Sequence, residues 1–214
     1  AKILPQVVWH FDEPVADPAA IPTYLLSKLA KEKVTVVLTG EGGDEIFAGY
    51  EQYKIIKIGN KIKYIPKFLR NKIPGIVKKI PSDYLNKFFK YSKSLGEKGM
   101  ERFNEFLDNL DNPIERYLAL VAIFTEQEKE EALEKVERID TDFNPLVSRK
   151  DYLTGMLEFE TKIELPDNLL MKVDKMTMAA GIEARVPFLD HKLVEFSASI
   201  PSRLKLRGLN EKYI

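Results

Sequence analysis

The chain has 214 residues, of which 44% are hydrophobic, and equal numbers of acidic and basic residues give it a formal net charge of zero. This length allows one large domain or two small ones with a hydrophobic core, and the neutral charge gives no overall case for a nucleic-acid or membrane partner. The absence of cysteine excludes disulfides, thiolate nucleophiles and cysteine metal ligands. No apolar run approaches the roughly 18 residues of a membrane span, so we expect a cytoplasmic protein that contacts no membrane.

Two helices and a stiff loop are predicted before the first strand. The apolar segment from Pro5 to Phe11 predicts a short buried helix with a proline near its start. Three prolines in the nine positions 14–22 restrict the backbone, so the loop between the helices should be rigid. A second helix is predicted from Pro22 to about Lys31. Its predicted apolar face consists of Leu25, Leu26 and Leu29.

An apolar run, Val34–Leu38, leads directly into the turn Thr-Gly-Glu-Gly-Gly-Asp-Glu at Thr39–Glu45. We predict a central strand that is buried on both faces, because its alternate side chains are all apolar or Thr. The turn should open a helix that carries Ile46, Phe47, Tyr50 and Tyr53. Ligands of open α/β sheets bind at the carboxyl ends of strands, so this turn is the first candidate site.

The turn carries three carboxylates, those of Glu41, Asp44 and Glu45, and no basic residue. A loop that cradles phosphate offers backbone N–H groups and a Lys, whereas these carboxylates would repel a bare phosphate. A divalent cation between the carboxylates and a nucleotide removes that repulsion, and hard oxygen ligands suit Mg²⁺. The alternative is structural, because acidic residues at a helix start complement the positive end of the helix dipole.

Residues 54–150 differ in composition from both flanking segments, and their prolines predict an insert of short helices. Twelve Lys and Arg and a single acid occur between Lys54 and Lys93, whereas acids outnumber bases fourteen to eight from Glu97 to Lys150. Basic residues with interleaved aromatics can bind RNA. We favour the alternative of solvated lysines around an aromatic core, because no nucleic-acid motif accompanies the charge. The aromatics concerned are Tyr53, Tyr64, Phe68, Tyr84, Phe88, Phe89 and Tyr91.

Residues 151–214 are predicted to be mostly helical, and apolar residues at helical spacing predict a buried helix at their start. A second helix is predicted to begin at Pro166 and to end near Gly181. The stretch Ile182–Asp190 should be extended, because Pro187 disfavours a helical residue before it. Asp190 is then expected to cap the last helix.

Together these elements predict an α/β fold that is predominantly helical, with few parallel strands. We expect residues 1–53 and 151–214 to form parts of one α/β core and residues 54–150 to form a helical insert. The chain has no initiator Met, and its last residues, Asn210–Ile214, look like the opening turn of a helix. We therefore expect a fragment of a larger domain.

Two segments resemble signatures of the synthetase domain of glutamine-dependent asparagine synthetases, which are of the ATP pyrophosphatase (PP-loop) type. Residues 39–50 resemble the family block Ser/Thr-Gly-Glu-Gly-x-Asp-Glu-x-Phe-x-Gly-Tyr. Asp174–Met176 and Gly181–Asp190 resemble the second signature, and the loop from Asp12 to Leu25 resembles a softer third. The resemblance is tight over residues 1–53 and 150–214. It implies a partial adenine-nucleotide α-hydrolase-like domain.

The resemblance also implies a reaction. ATP and the β-carboxylate of aspartate give a β-aspartyl-adenylate and pyrophosphate, and ammonia then converts the adenylate to asparagine. The implied cofactors are ATP and Mg²⁺. The implied partners are aspartate, ATP and ammonia, the last supplied by glutamine hydrolysis in an N-terminal domain that these residues do not include. A homodimer is one option, and neither nucleic acid nor membrane is expected.

The resemblance implies a role for each matching residue. Asp44 matches a metal ligand, and Glu41 matches an acid that holds or deprotonates the incoming amine. Glu183 and Arg185 would line the aminoacyl pocket as catalytic residues, although a salt bridge that supports the turn at Pro187 is the structural alternative. The implied substrate and nucleotide contacts come from Thr39, Gly40, Gly42, Gly43 and Lys175. For the lysine, a purely structural role stays open.

Three family features do not occur in these 214 residues. They are the Ser-Gly-Gly-x-Asp-Ser pyrophosphate loop, the catalytic Lys beyond the Asn-Glu-Lys-Tyr-Ile segment, and the amidotransferase Cys. We therefore expect the fragment to be inactive alone. One alternative is a β-lactam-synthetase-like or peptide-cyclising amide ligase, against which Glu41 argues because a Tyr there would favour lactam formation. Another is a non-catalytic helical interaction module.

Overall fold

The computed structural model describes residues 2–13, 15, 17–77, 79–80, 97–133, 141–149 and 151–214. The first six helices are α1 (Leu4–Phe11), α2 (Ala20–Lys31), α3 (Gly43–Phe47), α4 (Glu51–Ile62), α5 (Lys67–Arg70) and α6 (Ile73–Val77). The next five are α7 (Glu97–Asp108), α8 (Pro113–Val121), α9 (Glu126–Ala132), α10 (Asn144–Ser148) and α11 (Tyr152–Phe159). After a π-helix (Glu160–Leu170) come α12 (Met171–Met178), a 3₁₀ turn (Pro187–Leu189), α13 (His191–Ser199) and α14 (Ser202–Lys205).

The sheet of the described residues has two strands, β1 (Val36–Leu38) and β2 (Glu183–Arg185), which pair in parallel. The prediction of a predominantly helical α/β fold with few parallel strands is confirmed. The chain divides into two compact units, residues 1–49, 157–205 and 214, and residues 50–156 and 206–213. The sequence-based division at residues 53 and 150 stays a prediction.

The first unit is built around α12, against which α1 and α2 pack. One cluster of its core consists of Val7, Phe11, Ala20, Tyr24 and Met176. The predicted apolar face of α2 is wrong: Tyr24 and Ser27 are buried, whereas the three leucines at positions 25, 26 and 29 are exposed. The physical reason is that α2 turns the stripe through Ala20 and Tyr24 toward α1 and α12, which places the leucines on the opposite side.

The predicted strand is present but shorter, and its predicted burial is wrong. Val36 and Leu38 are exposed, Leu38 to 72%, and only Val37 is partly buried. In the part of the chain that the structure describes, β1 has one hydrogen-bonded neighbour rather than two, so within these residues it lies at an edge of the sheet and not at its centre as predicted. Glu183 N donates to Thr35 O at 2.9 Å, so the ladder begins one residue before β1.

The helix predicted after the acidic turn is broken in two. The first helix, α3, ends at Phe47, and Ala48 adopts a left-handed conformation with φ of 58° while being fully buried. The amide of Gly49 donates back to Asp44 O at 2.9 Å and closes the end of α3. Tyr50 is extended, and α4 starts at the next residue. Sequence periodicity did not show the break because the left-handed residue is an alanine rather than a glycine.

Pro166 does not begin a helix as predicted but lies inside the π-helix. This segment joins α11 to α12 without interruption. A proline has no N–H to donate and disturbs an α-helical ladder. The wider hydrogen-bonding pattern of a π-helix lets the chain pass the proline without a break.

The region around the second signature is mostly as predicted. Gly181, with φ of 71°, lies in the turn after α12, and β2 follows it. Within the stretch predicted to be extended, Pro187–Leu189 form a 3₁₀ turn instead. Asp190 caps α13 as predicted, with Oδ1 accepting from the amides of Lys192 and Leu193 at 3.0 and 3.4 Å. The final residues 210–214 are not helical.

The described part of the second unit consists of helices joined by turns and loops, with an isolated β-bridge between Arg207 and Asn210, and α7 packs on α8. Arg116 is buried, lies 3.5 Å from the centre of the Tyr152 ring and donates to Asn60 Oδ1 at 2.8 Å. Burial raises the pKa of Tyr152 despite the opposing hydrogen bond and charge of Arg116. The terminal segment is held by Lys57, which donates to Leu206 O at 2.6 Å.

Several sequence predictions for the insert lie outside the described residues. These concern Pro81, Tyr84, Phe88, Phe89 and Tyr91. Among the residues that the structure does describe, no helix combines the length and apolar character that crossing a bilayer requires.

Candidate functional site

The two sequence signatures lie side by side because β1 and β2 pair with each other. Val36 is opposite Glu183, and Leu38 is opposite Arg185. Thr39 N then donates to Arg185 O at 2.9 Å, one step beyond the strand. Both segments therefore leave the sheet at its carboxyl edge, which is where open α/β sheets bind ligands.

The glycine turn is held against the segment that follows β2. Gly42 is buried and has φ of 86°, a conformation that L side chains rarely adopt. A Cβ atom added there would lie 2.2 Å from Leu189 Cδ2. The Phe47 and Phe188 rings meet edge to face at 6.4 Å. A glycine is therefore required at position 42 for two reasons, the positive φ of the backbone and the close approach of Leu189.

Two polar atoms at this edge are buried without a hydrogen-bond partner in the described structure, namely Thr39 Oγ1 and Glu41 Oε2. Buried polar atoms of native proteins are nearly always paired. Both residues line a cavity of about 300 Å³ between α2, β1 and α12. The cavity is otherwise lined by Thr23, Leu26, Ser27, Ala30, Val37, Leu38, Val173, Thr177 and Ile182. A bound group with a donor atom would satisfy the two oxygens.

Glu183 and Arg185 point to the same face of β2 and contact each other, with Arg185 Nε 2.8 Å from Glu183 Oε1. Their side chains are 56% and 64% exposed. An exposed ion pair of this kind contributes about 0–1 kcal/mol, so stability alone is a weak reason for it. The contact uses Nε, and the terminal amino groups of the guanidinium make no hydrogen bond to the described residues. They are therefore available to a ligand.

Two lysines of α12 reach back to the proline loop, and their contacts differ in strength. Lys172 Nζ lies 2.6 Å from Asp17 Oδ2, and both side chains are largely buried. Burial would raise the pKa of Asp17, but hydrogen bonds from Lys172 and the Ala19 amide, with the charge of Lys172, outweigh it and lower that pKa. Lys175 is 3.4 Å from Asp12, a carboxylate that is 82% exposed. Lys172 is thus committed to structure, whereas Lys175 can exchange its partner for an anionic ligand.

The remaining implied residues lie on the same turn. Asp44 and Gly43 belong to the first turn of α3, and Gly40 stands in open space with no atom within 4 Å of an added Cβ. Among the described residues, no group of three or more His, Cys, Asp or Glu is arranged to hold a metal.

Sequence reasoning gave no role to the Asp17–Lys172 pair, which fixes the proline loop onto α12. The two residues are 155 positions apart. A single sequence has no signal that joins such residues. The left-handed Asp12, with φ of 60° at the end of α1, was also missed, although Asp is one of the residue types that adopt this conformation.

Comparison with known proteins gives a consistent assignment. A family model described as asparagine synthase matches residues 1–214. Asparagine synthetase (glutamine-hydrolysing) 1 of Bacillus subtilis is 34% identical over 99% of this chain and 32% of its own length. A putative asparagine synthetase (glutamine-hydrolysing) of Mycobacterium bovis is 32% identical over 98% of this chain and 31% of its own length. No solved structure gives a significant match.

A more distant relative bears a different name. A protein of Penicillium rubens named amidase chyE is 25% identical over 96% of this chain and 32% of its own length. The chain therefore spans about a third of the length of the curated relatives that it matches. Since the family model covers every residue, the chain belongs to the asparagine synthase family.

Proposed function

We propose that these residues form part of the active site of an ATP-dependent asparagine synthetase, which activates aspartate as an adenylate and then amidates it with ammonia. The observation that carries the proposal is the parallel pairing of β1 with β2. It places the acidic turn and the Glu183–Arg185 pair at one edge of the sheet although about 140 residues separate them in sequence.

The proposed chemistry has two balanced steps. An oxygen of the aspartate β-carboxylate attacks the α-phosphorus of ATP and displaces pyrophosphate. Ammonia then attacks the activated carbonyl carbon, AMP leaves with the carboxylate oxygen, and the nitrogen loses a proton. Glu41 is the proposed acceptor of that proton. Its Oε2 is buried without a partner in the described residues, and it is therefore placed to take a hydrogen bond from an N–H donor.

Asp44 is the proposed protein ligand of Mg²⁺. The cation would neutralise the phosphate oxygens during displacement of pyrophosphate. Asp44 fits this role because a carboxylate oxygen is a hard ligand of the kind that Mg²⁺ prefers. Thr39, Gly40, Gly42 and Gly43 would supply the backbone contacts around the nucleotide.

Arg185 is proposed to bind a carboxylate of aspartate through its terminal amino groups, which the Glu183 contact leaves available. Glu183 would hold the guanidinium in place through Nε. Lys175 is proposed to contact substrate or pyrophosphate, because its contact with Asp12 is long and exposed. Lys172 differs from Lys175 in this respect, because its short and buried ion pair with Asp17 leaves it unable to bind a ligand.

The proposal assigns turnover to a polypeptide that carries, in addition to these residues, a Ser-Gly-Gly-x-Asp-Ser pyrophosphate loop, a catalytic Lys and a glutaminase domain. The 214 residues contain none of these, and we propose that they do not turn over ATP alone. A second candidate is another ATP-dependent amide ligase. The relative named as an amidase shares amide chemistry with such an enzyme, although an amidase breaks an amide bond and a ligase forms one. Glu41 favours ammonia as the nucleophile.

The test uses the full-length protein with MgATP, aspartate and ammonium. We expect AMP, pyrophosphate and asparagine in equal amounts, with AMP formation dependent on aspartate. Release of ADP and phosphate, or AMP formation that requires a different carboxylic acid, would contradict the assignment. Replacement of ammonium by glutamine then tests separately for the glutaminase activity.

A further inference from the structure

Positive charge is concentrated in the segment that runs from the end of α4 through α5 and α6, although the whole chain has no net charge. Residues 61–80, called the basic elbow below, contain seven Lys and Arg and no Asp or Glu. The structure describes all of them except residue 78. Acidic residues elsewhere in the chain balance this charge, which is why the net charge gave no sign of it.

The basic elbow is a built structure rather than a loose loop. Arg70 is buried, and its Nε and one terminal amino group donate to the carbonyls of Ile65 and Lys63, each at 2.6 Å. The other terminal amino group lies 3.4 Å from Asp111. Arg70, the one arginine of the elbow, thus uses its hydrogen bonds to close the turn between α4 and α5. The remaining positive charge of the elbow comes from lysines alone.

The closed turn presents apolar side chains to solvent. Tyr64 is 80% exposed and Phe68 is 68% exposed. By contrast, Tyr53 on α4 is 1% exposed. The sequence-based alternative of an aromatic core is therefore correct for Tyr53 and wrong for Tyr64 and Phe68. Further exposed apolar residues of the elbow are Ile65, Leu69, Ile76 and Ile80.

In contrast to the sequence-based expectation of no membrane partner, we propose that the basic elbow binds the surface of a bilayer that contains anionic lipids. Each lysine near such a surface is worth about 1 kcal/mol, or roughly a fivefold change in partitioning. Exposed aromatic and aliphatic side chains enter the interface between headgroups and acyl chains. Lys61, Lys67 and Lys72 are exposed within the same segment. The segment lies on the membrane and does not cross it.

The composition of the elbow favours a lipid surface over nucleic acid. Four of its six exposed apolar side chains are aliphatic, and aliphatic side chains do not stack on bases. Arginine, which stacks on bases and grips phosphate with two hydrogen bonds, is buried here as Arg70. Lysines together with the exposed Phe68 and Leu69 match the composition of interfacial segments.

The test is flotation of the purified full-length protein with vesicles on a density gradient. Flotation is chosen because protein aggregates do not float. Vesicles of phosphatidylcholine with phosphatidylglycerol should carry the protein, and pure phosphatidylcholine vesicles should not. Lys67→Glu with Lys72→Glu should lower partitioning at least about 25-fold, because two favourable charges are lost. Phe68→Ser should lower it about tenfold through lost apolar burial.

Two matched variants keep the test specific. Phe124→Ser removes a phenylalanine outside the elbow that is 59% exposed, close to the 68% of Phe68, and Lys192→Glu reverses the charge of an exposed lysine of the first unit. Both should float like the wild type. Equal flotation of the elbow variants and the wild type, or of the wild type on charged and neutral vesicles, would overturn the proposal. So would binding of poly(U) RNA that the elbow variants lose while no vesicle binding is measured.

Discussion

Replacement of Gly42 by alanine tests how tightly the acidic turn is fixed. Gly42 is buried and has φ of 86°, and an added Cβ would meet Leu189 Cδ2 at 2.2 Å and Cγ at 2.7 Å. No real Cβ makes such contacts, so Leu189 has to move. The positive φ adds a strain that no movement of Leu189 removes.

The magnitude follows from these two terms. A left-handed conformation costs an L-residue about 1–2 kcal/mol relative to glycine. Displacing Leu189 from its rotamer costs about 0.5–1.5 kcal/mol. Gly42→Ala should therefore lower the free energy of unfolding by about 1.5–3.5 kcal/mol. That is a large part of the roughly 5–15 kcal/mol by which a domain is stable.

Urea unfolding followed by circular dichroism measures the effect, and Gly40→Ala is the matched control. Nothing lies within 4 Å of a Cβ at position 40, so that variant should stay within about 0.5 kcal/mol of the wild type. The double variant Gly42→Ala, Leu189→Ala should be more stable than the sum of its single effects, because the collision is gone. Equal stability of the two glycine variants would refute the account of the turn.

The other predictions concern stability and association. Asp17→Asn leaves the buried Lys172 without its charge partner and should cost about 3–5 kcal/mol in urea unfolding, against less than about 1 kcal/mol for the exposed Asp12→Asn. Because the pKa of Asp17 is lowered in the fold, its stabilisation is complete above about pH 3.9 and is lost as the pH falls through the folded-state value. Acid titration should show this loss in the wild type and not in Asp17→Asn. Asn112 caps α8 by accepting from two amides, so Asn112→Ala should cost about 1 kcal/mol in urea unfolding. The open edge of β1 should cause self-association in sedimentation of the 214-residue chain, and Leu38→Lys should reduce it.

The sequence predicted those features that depend on neighbouring residues. The glycine turn and the Asp190 cap follow from local chemistry, and the structure has both. The predicted strand is present over Val36–Leu38 only, and the stretch predicted to be extended over 182–190 is extended only before Pro187. The order of the two signatures also gave the family, which the matched family model confirms.

Features that depend on distant partners could not be predicted in this way. The exposure of the α2 leucines and of Leu38 depends on which elements cover them. The ion pair between Asp17 and Lys172 joins residues 155 positions apart, and its two members look like ordinary surface residues in sequence. The left-handed Ala48 is set by closure of α3 and not by its residue type.

The roles of Asp44 and Glu41 can be separated in a single assay. Aspartate-dependent exchange of labelled pyrophosphate into ATP reports adenylate formation without ammonia. In the full-length protein, Asp44→Asn should abolish this exchange while leaving thermal stability nearly unchanged, because its proposed role is to hold Mg²⁺. Glu41→Gln should retain exchange within a few fold yet lose asparagine formation from ammonia by about 10²–10⁴-fold.

The measurement that tests the central claim most directly is therefore pyrophosphate exchange by Asp44→Asn beside the wild type. The account predicts exchange that depends on aspartate in the wild type and no exchange in the variant. Normal exchange in Asp44→Asn would contradict the claim that the acidic turn at the carboxyl edge of β1 binds the metal–nucleotide complex.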